Sequence, residues 1–303
     1  MKTGFEVRNY RFLVSSVISL IMSLLLGIST EAVAQSFELL ATVNDTWGPL
    51  QNDTLVSVNP TTGAQTQVGT AGATQPNTIA LNPQTGLLYG AWSIQSNGGN
   101  GTYLNNSTIM QINKSNGSTT TVTTVTDTPL TSIAFSAGGT LYGSTIYSGT
   151  TANQIGTIDL STGAFTPIVA LPVNTIAALA FSPTNGLLYA SVENLGGSPY
   201  YFNLDAINVS QKTILSSTQI NGAFAIDNMT FAPDGSEIFF TNYSYWLGKM
   251  DLNGNESGVG SGQLGDISGI AAVPVSTPEP STFLLLGASL AGLAVMRLRR
   301  RNS

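Results

Sequence analysis

The segment Ala178-Leu179-Ala180-Phe181-Ser182-Pro183, followed by Leu187-Leu188-Tyr189-Ala190, decides the fold because the chain repeats it. Related copies begin at residues 78, 132 and 228, and a weaker copy begins at residue 269. Each copy predicts a first strand of small and apolar residues and a second strand that carries an aromatic residue. Internal repetition at this spacing is the first property to explain in any fold assignment.

Two further strands follow in each repeat. The third ends at an Asn or Asp and runs into a turn, and the fourth is rich in threonine, as in Thr119 to Thr124. Short β-branched and aromatic segments separated by Gly, Pro and Asn are typical of strands. Four-stranded units of roughly 40–50 residues are the signature of β-propeller blades.

The last repeat lacks its second strand, because the chain enters a different composition after Val273-Pro274. The start of the body supplies matching segments, Leu39 to Thr42 and Thr54 to Asn59. Pairing them with the last repeat would close the ring and remove two exposed edges. The sequence therefore predicts an all-β fold, a five-bladed β-propeller closed by an N-terminal strand. An open β-solenoid or a sandwich is the alternative.

Composition excludes several classes of site. The chain of 303 residues contains no histidine and no cysteine, which rules out Ser–His–Asp catalysis, Cys/His zinc sites and disulfides. Between Gln35 and Thr277 the only basic residues are Lys114, Lys212 and Lys249, against 13 acidic ones, so the body carries 3 − 13 = −10 charges. We therefore expect no nucleic-acid partner, because DNA and RNA would be repelled.

Residues 1–34 are predicted to form a signal helix. Basic residues near the start precede an apolar stretch, and Ala32-Val33-Ala34 offers a small-residue cleavage site before Gln35. Signal peptidase is the expected partner. An uncleaved anchor helix is the alternative.

The C-terminal end has three parts in sequence. Pro278-Glu279-Pro280 comes first, an apolar segment runs from Phe283 to Met296, and Arg299-Arg300-Arg301 follows. The apolar segment predicts a hydrophobic helix, whose arginines should stay on the cytoplasmic side of a membrane. A plain C-terminal anchor would explain this helix but not the Pro-Glu-Pro.

This tail resembles the PEP-CTERM sorting signal of Gram-negative bacteria. The resemblance implies that exosortase, a membrane enzyme, recognises the Pro-Glu-Pro and that the protein is exported, with an inner-membrane precursor and a final place at the cell surface or outside the cell. Bacteria with this tail typically make exopolysaccharide, so a biofilm role is also implied. The predicted domains are the signal peptide 1–34, the propeller body 35–275 and the sorting tail 276–303.

Candidate ligand residues lie in two places. Asp227 and Asn228 precede a predicted inner strand, where propellers often bind ligands around the channel. Trp47, Trp92 and Trp246 lie after second strands or in the loops that follow, and exposed loop aromatics suit carbohydrate or protein surfaces. Packing within the loops, and a buried aspartate satisfied by backbone, are the alternatives.

Three other features are expected to be structural. The Asn or Asp at the end of each third strand is expected to stabilise a turn rather than bind a ligand. The oxygen-rich segment that begins at Asp251 resembles a calcium loop but lacks the glutamate at its twelfth position, which is Gly262. The aromatic residues of the second strands, including Tyr89 and Tyr189, should pack between blades rather than form a platform for sugars.

The sequence thus favours a non-enzymatic exported protein that acts in adhesion, matrix structure or binding of exopolysaccharide and other envelope components, with no cofactor and no metal. The alternative is a calcium-assisted propeller hydrolase or lyase around Asp227 and Asn228. A purely structural protein without a ligand is a third hypothesis.

Overall fold

The computed structural model describes residues 36–43, 54–70, 76–93, 96–98, 102–104, 106–145, 153–171, 173, 175–193, 201–222, 226–242, 247–260 and 267–275. All of them belong to the unit Gln35–Ser303. The predicted signal helix, its cleavage site and the whole sorting tail lie outside these residues. In the described ranges, no helix is long and apolar enough to cross a lipid bilayer.

The described residues form strands and turns only. The strands are β1 Phe37–Val43, β2 Thr54–Val58, β3 Gln65–Thr70, β4 Thr78–Leu81, β5 Leu88–Ser93, β6 Ser96–Gly98, β7 Thr102–Leu104, β8 Ser107–Ile112, β9 Thr119–Val125, β10 Leu130–Phe135, β11 Leu141–Thr145, β12 Asn153–Ile158, β13 Phe165–Leu171, β14 Thr175–Phe181, β15 Leu188–Glu193, β16 Phe202–Asn208, β17 Thr213–Gln219, β18 Ile226–Phe231, β19 Ile238–Asn242, β20 Leu247–Met250, β21 Glu256–Gly258 and β22 Ile267–Pro274.

Five four-stranded antiparallel sheets form the blades. From the inner to the outer strand, blade 1 is β4-β5-β8-β9, blade 2 is β10-β11-β12-β13, blade 3 is β14-β15-β16-β17, blade 4 is β18-β19-β20-β21 and blade 5 is β22-β1-β2-β3. The short hairpin β6-β7 is inserted between the second and third strands of blade 1. Each inner strand contacts the inner strands of both neighbouring blades, and β22 contacts β4. The prediction of a five-bladed propeller is therefore confirmed.

The ring closes as the incomplete last repeat predicts. β1 pairs antiparallel with β22, from Phe37 opposite Pro274 to Val43 opposite Ile267. Beyond the strand ends, the Val275 amide donates a hydrogen bond of 2.8 Å to the Ser36 carbonyl. The first and last segments of the body thus share one blade, and no edge is left open at the seam.

The hydrophobic core consists of five clusters, one at each seam between neighbouring blades. Aromatic pairs cross three of the seams at ring-centroid distances of 5.0–5.3 Å, namely Tyr89–Phe135, Tyr142–Phe181 and Tyr189–Phe231. Blade 5 has Ala272 where the other repeats have a large side chain, and Phe37 instead contacts Phe239 of blade 4 at 5.7 Å. The expectation that these aromatic residues pack between blades is confirmed.

The antiparallel order gives the ring two different faces. The face where the inner strands end is called the terminal face, because Ser36 and Val275 lie there. It also carries the turns between first and second strands and those between third and fourth strands. We call the opposite face the loop face. These turns on the terminal face span six residues or fewer, whereas residues 44–53 and 94–106 separate second and third strands on the loop face.

Two physical effects require glycine at the turn between the third and fourth strands of blade 2. Gly163 has a φ of 75°, which disfavours any residue with a side chain. In addition, a Cβ atom on Gly163 would collide with the carbonyl oxygen of Thr124, which belongs to the outer strand of blade 1. The turn of blade 2 therefore fits against blade 1 only because no side chain is present there.

We expect Gly163→Ala to destabilise the propeller far more than Gly86→Ala. Gly86 has a φ of 67° but nothing within 4 Å of its missing Cβ, so that variant isolates the cost of the backbone conformation, about 1–2 kcal/mol. Gly163→Ala adds the collision with Thr124. Thermal unfolding of both variants tests this, and equal losses in Tm would contradict the close contact between blades.

Candidate functional site

The inner strands begin with a repeated irregularity at the loop face. In blades 2, 3 and 4 the pairing of the first two strands skips one residue, which is Thr131, Ala177 and Asp227 respectively. In blade 5 the skipped residue is Ser268. These bulged residues are half-buried. Together with the exposed Asn77, which precedes β4, they form a ring that we call the polar mouth of the channel.

Hydrogen bonds at the polar mouth join blades to one another. The Thr131 hydroxyl donates to the Ile176 carbonyl of the next blade at 2.6 Å. The Asn228 side-chain amide donates to the Ser268 carbonyl at 2.7 Å, and the Ser268 hydroxyl approaches the Pro76 carbonyl at 3.2 Å. These side chains therefore hold the ring together.

The structure places the predicted ligand residues Asp227 and Asn228 next to each other but in different surroundings. Asp227 is a half-buried bulge residue that makes interactions of its own. Asn228 is only 5% exposed, and its side-chain amide already donates a hydrogen bond to blade 5. Asp227 is the single carboxylate among the five positions of the polar mouth. Among the described residues, no three acidic side chains lie close enough to hold a metal ion.

A cavity of about 300 Å³ opens at the other end of the channel, on the terminal face. We call it the apolar mouth. Residues from all five inner strands and the turns after them line it, including Leu81, Phe135, Phe181, Phe231 and Pro274. No ionisable side chain is among its lining residues. The ligand site predicted from the sequence, at Asp227 and Asn228, lies where inner strands begin, whereas this cavity lies where they end.

The repeated Asn and Asp residues are turn residues, as the sequence predicts. The Asp159 carboxylate accepts hydrogen bonds from the Ser161 hydroxyl and from the backbone amides of Ser161 and Thr162, and these bonds lower its pKa. Asp251 accepts bonds from Asn255 and Asn253, which lower its pKa in the same way. These oxygens are already engaged within their turns, which is the behaviour of Asx turns.

The candidate tryptophans are only partly within the described structure. Trp92 is half-buried near the end of β5, opposite Thr108 of β8. Trp47 and Trp246 lie outside the described residues.

Sequence reasoning missed a buried carboxyl group in blade 3. Asp205 on β16 is 4% exposed, and one of its carboxylate oxygens has no hydrogen-bond partner. Burial raises its pKa above the ordinary value of 3.8, and a hydrogen bond with Ser217 offsets part of this rise. The corresponding residues of the other blades are Val56, Met110, Gly156 and Gly248. Aligning the third strands would have revealed this exception.

We expect Asp205→Val to stabilise the propeller by about 1–3 kcal/mol at pH 7, because an unpartnered buried acceptor is removed. A carboxyl with a raised pKa favours folding most when protonated, so the contribution of Asp205 to wild-type stability should fall as the pH rises from 4 through its folded pKa. The gain from Asp205→Val should therefore shrink at pH 4. Denaturant unfolding at several pH values measures it.

Ser191→Ala is the matched control, because the Ser191 hydroxyl is also buried without a partner but does not titrate in this range. Its effect on stability should not change with pH. A gain for Asp205→Val that is equally independent of pH would show that the carboxyl is not the cause.

Residues 66–232, more than half of the chain, match a family described as a repeat of unknown function (DUF6923). Residues 276–301 match the PEP-CTERM protein-sorting motif, which confirms the assignment of the tail and marks the chain as an exported protein that exosortase processes. No curated protein matches the chain.

Solved structures that are similar to this chain have low sequence identity to it. A chain of the Nidogen/Laminin complex is 13% identical at a TM-score of 0.50, covering 78% of this chain and 98% of its own. A putative 6-phosphogluconolactonase from Bacteroides fragilis is 9% identical at a TM-score of 0.45, covering 81% and 100%. TolB from Acinetobacter baumannii is 13% identical at a TM-score of 0.46, covering 80% and 68%. At these identities the first match shows the fold alone.

Proposed function

We propose that this chain, which belongs to the DUF6923 family of repeats of unknown function, is a non-enzymatic protein of the cell surface or extracellular matrix. Its proposed role is adhesion to the neutral exopolysaccharide or envelope polymers of the cell that produces it. An inner-membrane precursor anchored by the C-terminal helix would precede the processed form. A biofilm function would follow from binding of the polymer.

The observation that carries this proposal is the neutral belt, which we define as the outer strands of the five blades, β3, β9, β13, β17 and β21. Their 6, 7, 7, 7 and 3 residues contain one ionisable side chain, Glu256. Surfaces of soluble domains usually contain about 25–35% charged residues. The belt instead exposes hydroxyl and amide groups, for example those of Gln67, Thr121 and Ser216.

Such a belt suits a neutral, hydroxyl-rich polymer. Serine and threonine hydroxyls both donate and accept hydrogen bonds, as sugar hydroxyls do. Exposed aliphatic side chains, Val122, Ile214 and Leu215, lie between them and offer apolar contacts. The acidic body, which has no arginine between Gln35 and Thr277, would repel an anionic polymer.

We expect the mature protein from its native producer to bind that cell's own polysaccharide, with an affinity that changes little between about 20 and 500 mM salt, because neutral contacts are not screened. Thr121→Glu combined with Ser216→Glu should weaken binding at least tenfold. Thr121→Ser with Ser216→Thr keeps the hydroxyls and is the matched control. If the wild-type protein is not retained on the polysaccharide, the proposal is wrong.

The non-enzymatic part of the proposal is tested with calcium. The polar mouth has one carboxylate, whereas calcium takes six to eight oxygen ligands, commonly from several carboxylates. We expect 5 mM Ca²⁺ to leave the Tm unchanged in the wild type and in Asp227→Ala alike. A rise in Tm that disappears in Asp227→Ala would favour a calcium-assisted enzyme instead.

A further inference from the structure

The folded propeller holds the sorting motif close to its own surface. Pro274 pairs with Phe37 in the closing blade, and the Val275 amide is hydrogen-bonded to the Ser36 carbonyl. Only Ser276 and Thr277 separate Val275 from Pro278. Three fully extended residues span at most about 10 Å. Any enzyme that reaches the Pro-Glu-Pro while the ring is folded must therefore come within this distance of the terminal face.

Among the described residues, the terminal face carries short turns and the two strand ends at Ser36 and Val275, and this suits such an approach. The turns between first and second strands contain glycines of positive φ, such as Gly86 and Gly186. The apolar mouth lies within this face. Pro274, the residue from which the tail departs, is itself part of its lining. The tail thus leaves from the rim of an apolar concavity.

We propose that the apolar mouth and the turns that surround it are a docking surface for exosortase, which recognises the folded propeller together with the Pro-Glu-Pro. The occupant follows from the short linker, since the enzyme that processes this tail is the protein that must approach the face. An uncharged lining favours burial against an apolar protein surface. The proposal rests on the sorting motif and not on the proposed binding of polysaccharide.

Linker length gives the first test. A Gly/Ser insertion of 10 residues between Val275 and Ser276 leaves the ring and the motif intact but removes their fixed separation. Conversion of full-length precursor to the tail-free form is followed by pulse-chase and intact mass in the native producer. Docking predicts at least fivefold slower conversion. An unchanged or faster rate would overturn the proposal, because the propeller would then be neutral or an obstacle.

Charge on the docking surface gives the second test. Pro83 and Pro183 line the apolar mouth but are exposed, so Pro83→Glu with Pro183→Glu places two charges there without disturbing the core. Processing should slow at least fivefold at unchanged Tm. The matched control is Thr126→Glu with Tyr201→Glu, two exposed positions at the loop face. Equal rates for the two double variants would contradict docking at the apolar mouth.

A disulfide across the closing seam distinguishes docking from local opening. The chain has no cysteine, so Ser36→Cys with Val275→Cys creates one defined pair on adjacent antiparallel strands. Docking on a closed ring predicts that the oxidised variant is processed at the wild-type rate. If oxidation blocks processing and reduction restores it, the enzyme must pull β22 out of the ring, and docking on the folded face is wrong.

Discussion

Each inner strand has one edge that no strand of its own sheet covers. The ring depends on hydrogen bonds that the backbone amides along this edge donate to other groups. The Thr78 hydroxyl of blade 1 accepts a bond from the Ile133 amide of blade 2, and the Ser132 hydroxyl accepts one from the Leu179 amide of blade 3. The Thr230 hydroxyl accepts one from the Ala272 amide in the same way. Unpaired backbone groups buried at a channel would cost folding free energy, so short hydroxyl side chains at these positions make the radial arrangement of blades stable.

The fold could be predicted from the sequence because its information is repeated. Five copies of one strand pattern give the number of blades, and the truncated last copy shows that Leu39 to Thr42 must complete it. The turn residues could be predicted because Asx turns depend on local geometry, as Asp159 shows. Predicting these features requires only the neighbouring residues in the sequence or the equivalent position in another repeat.

The candidate site was harder to predict because it depends on strand pairing, burial and closure of the ring. The bulge at Asp227, which three other blades share, arises from a skipped pairing that leaves no mark in composition. The buried carboxyl of Asp205 occupies a position that the other blades fill with Val, Met or Gly, and strand patterns alone do not show burial. The apolar mouth forms where inner strands converge, so its location depends on the closed ring rather than on any single motif. The predictions for Trp47 and Trp246 remain predictions, since these residues lie outside the described structure.

Closure of the ring by β1 and β22 has a consequence for the order of events in export. Thr42 and Ser268, which contact each other at the seam, are 226 residues apart in sequence. Closing so long a loop is entropically expensive and comes late in folding. The first strand, β1, therefore stays without its partner β22 until the end of the body is also present in the same compartment. The strand that completes the last blade, β22, directly precedes the tail, so along the chain the propeller becomes complete immediately before the sorting motif.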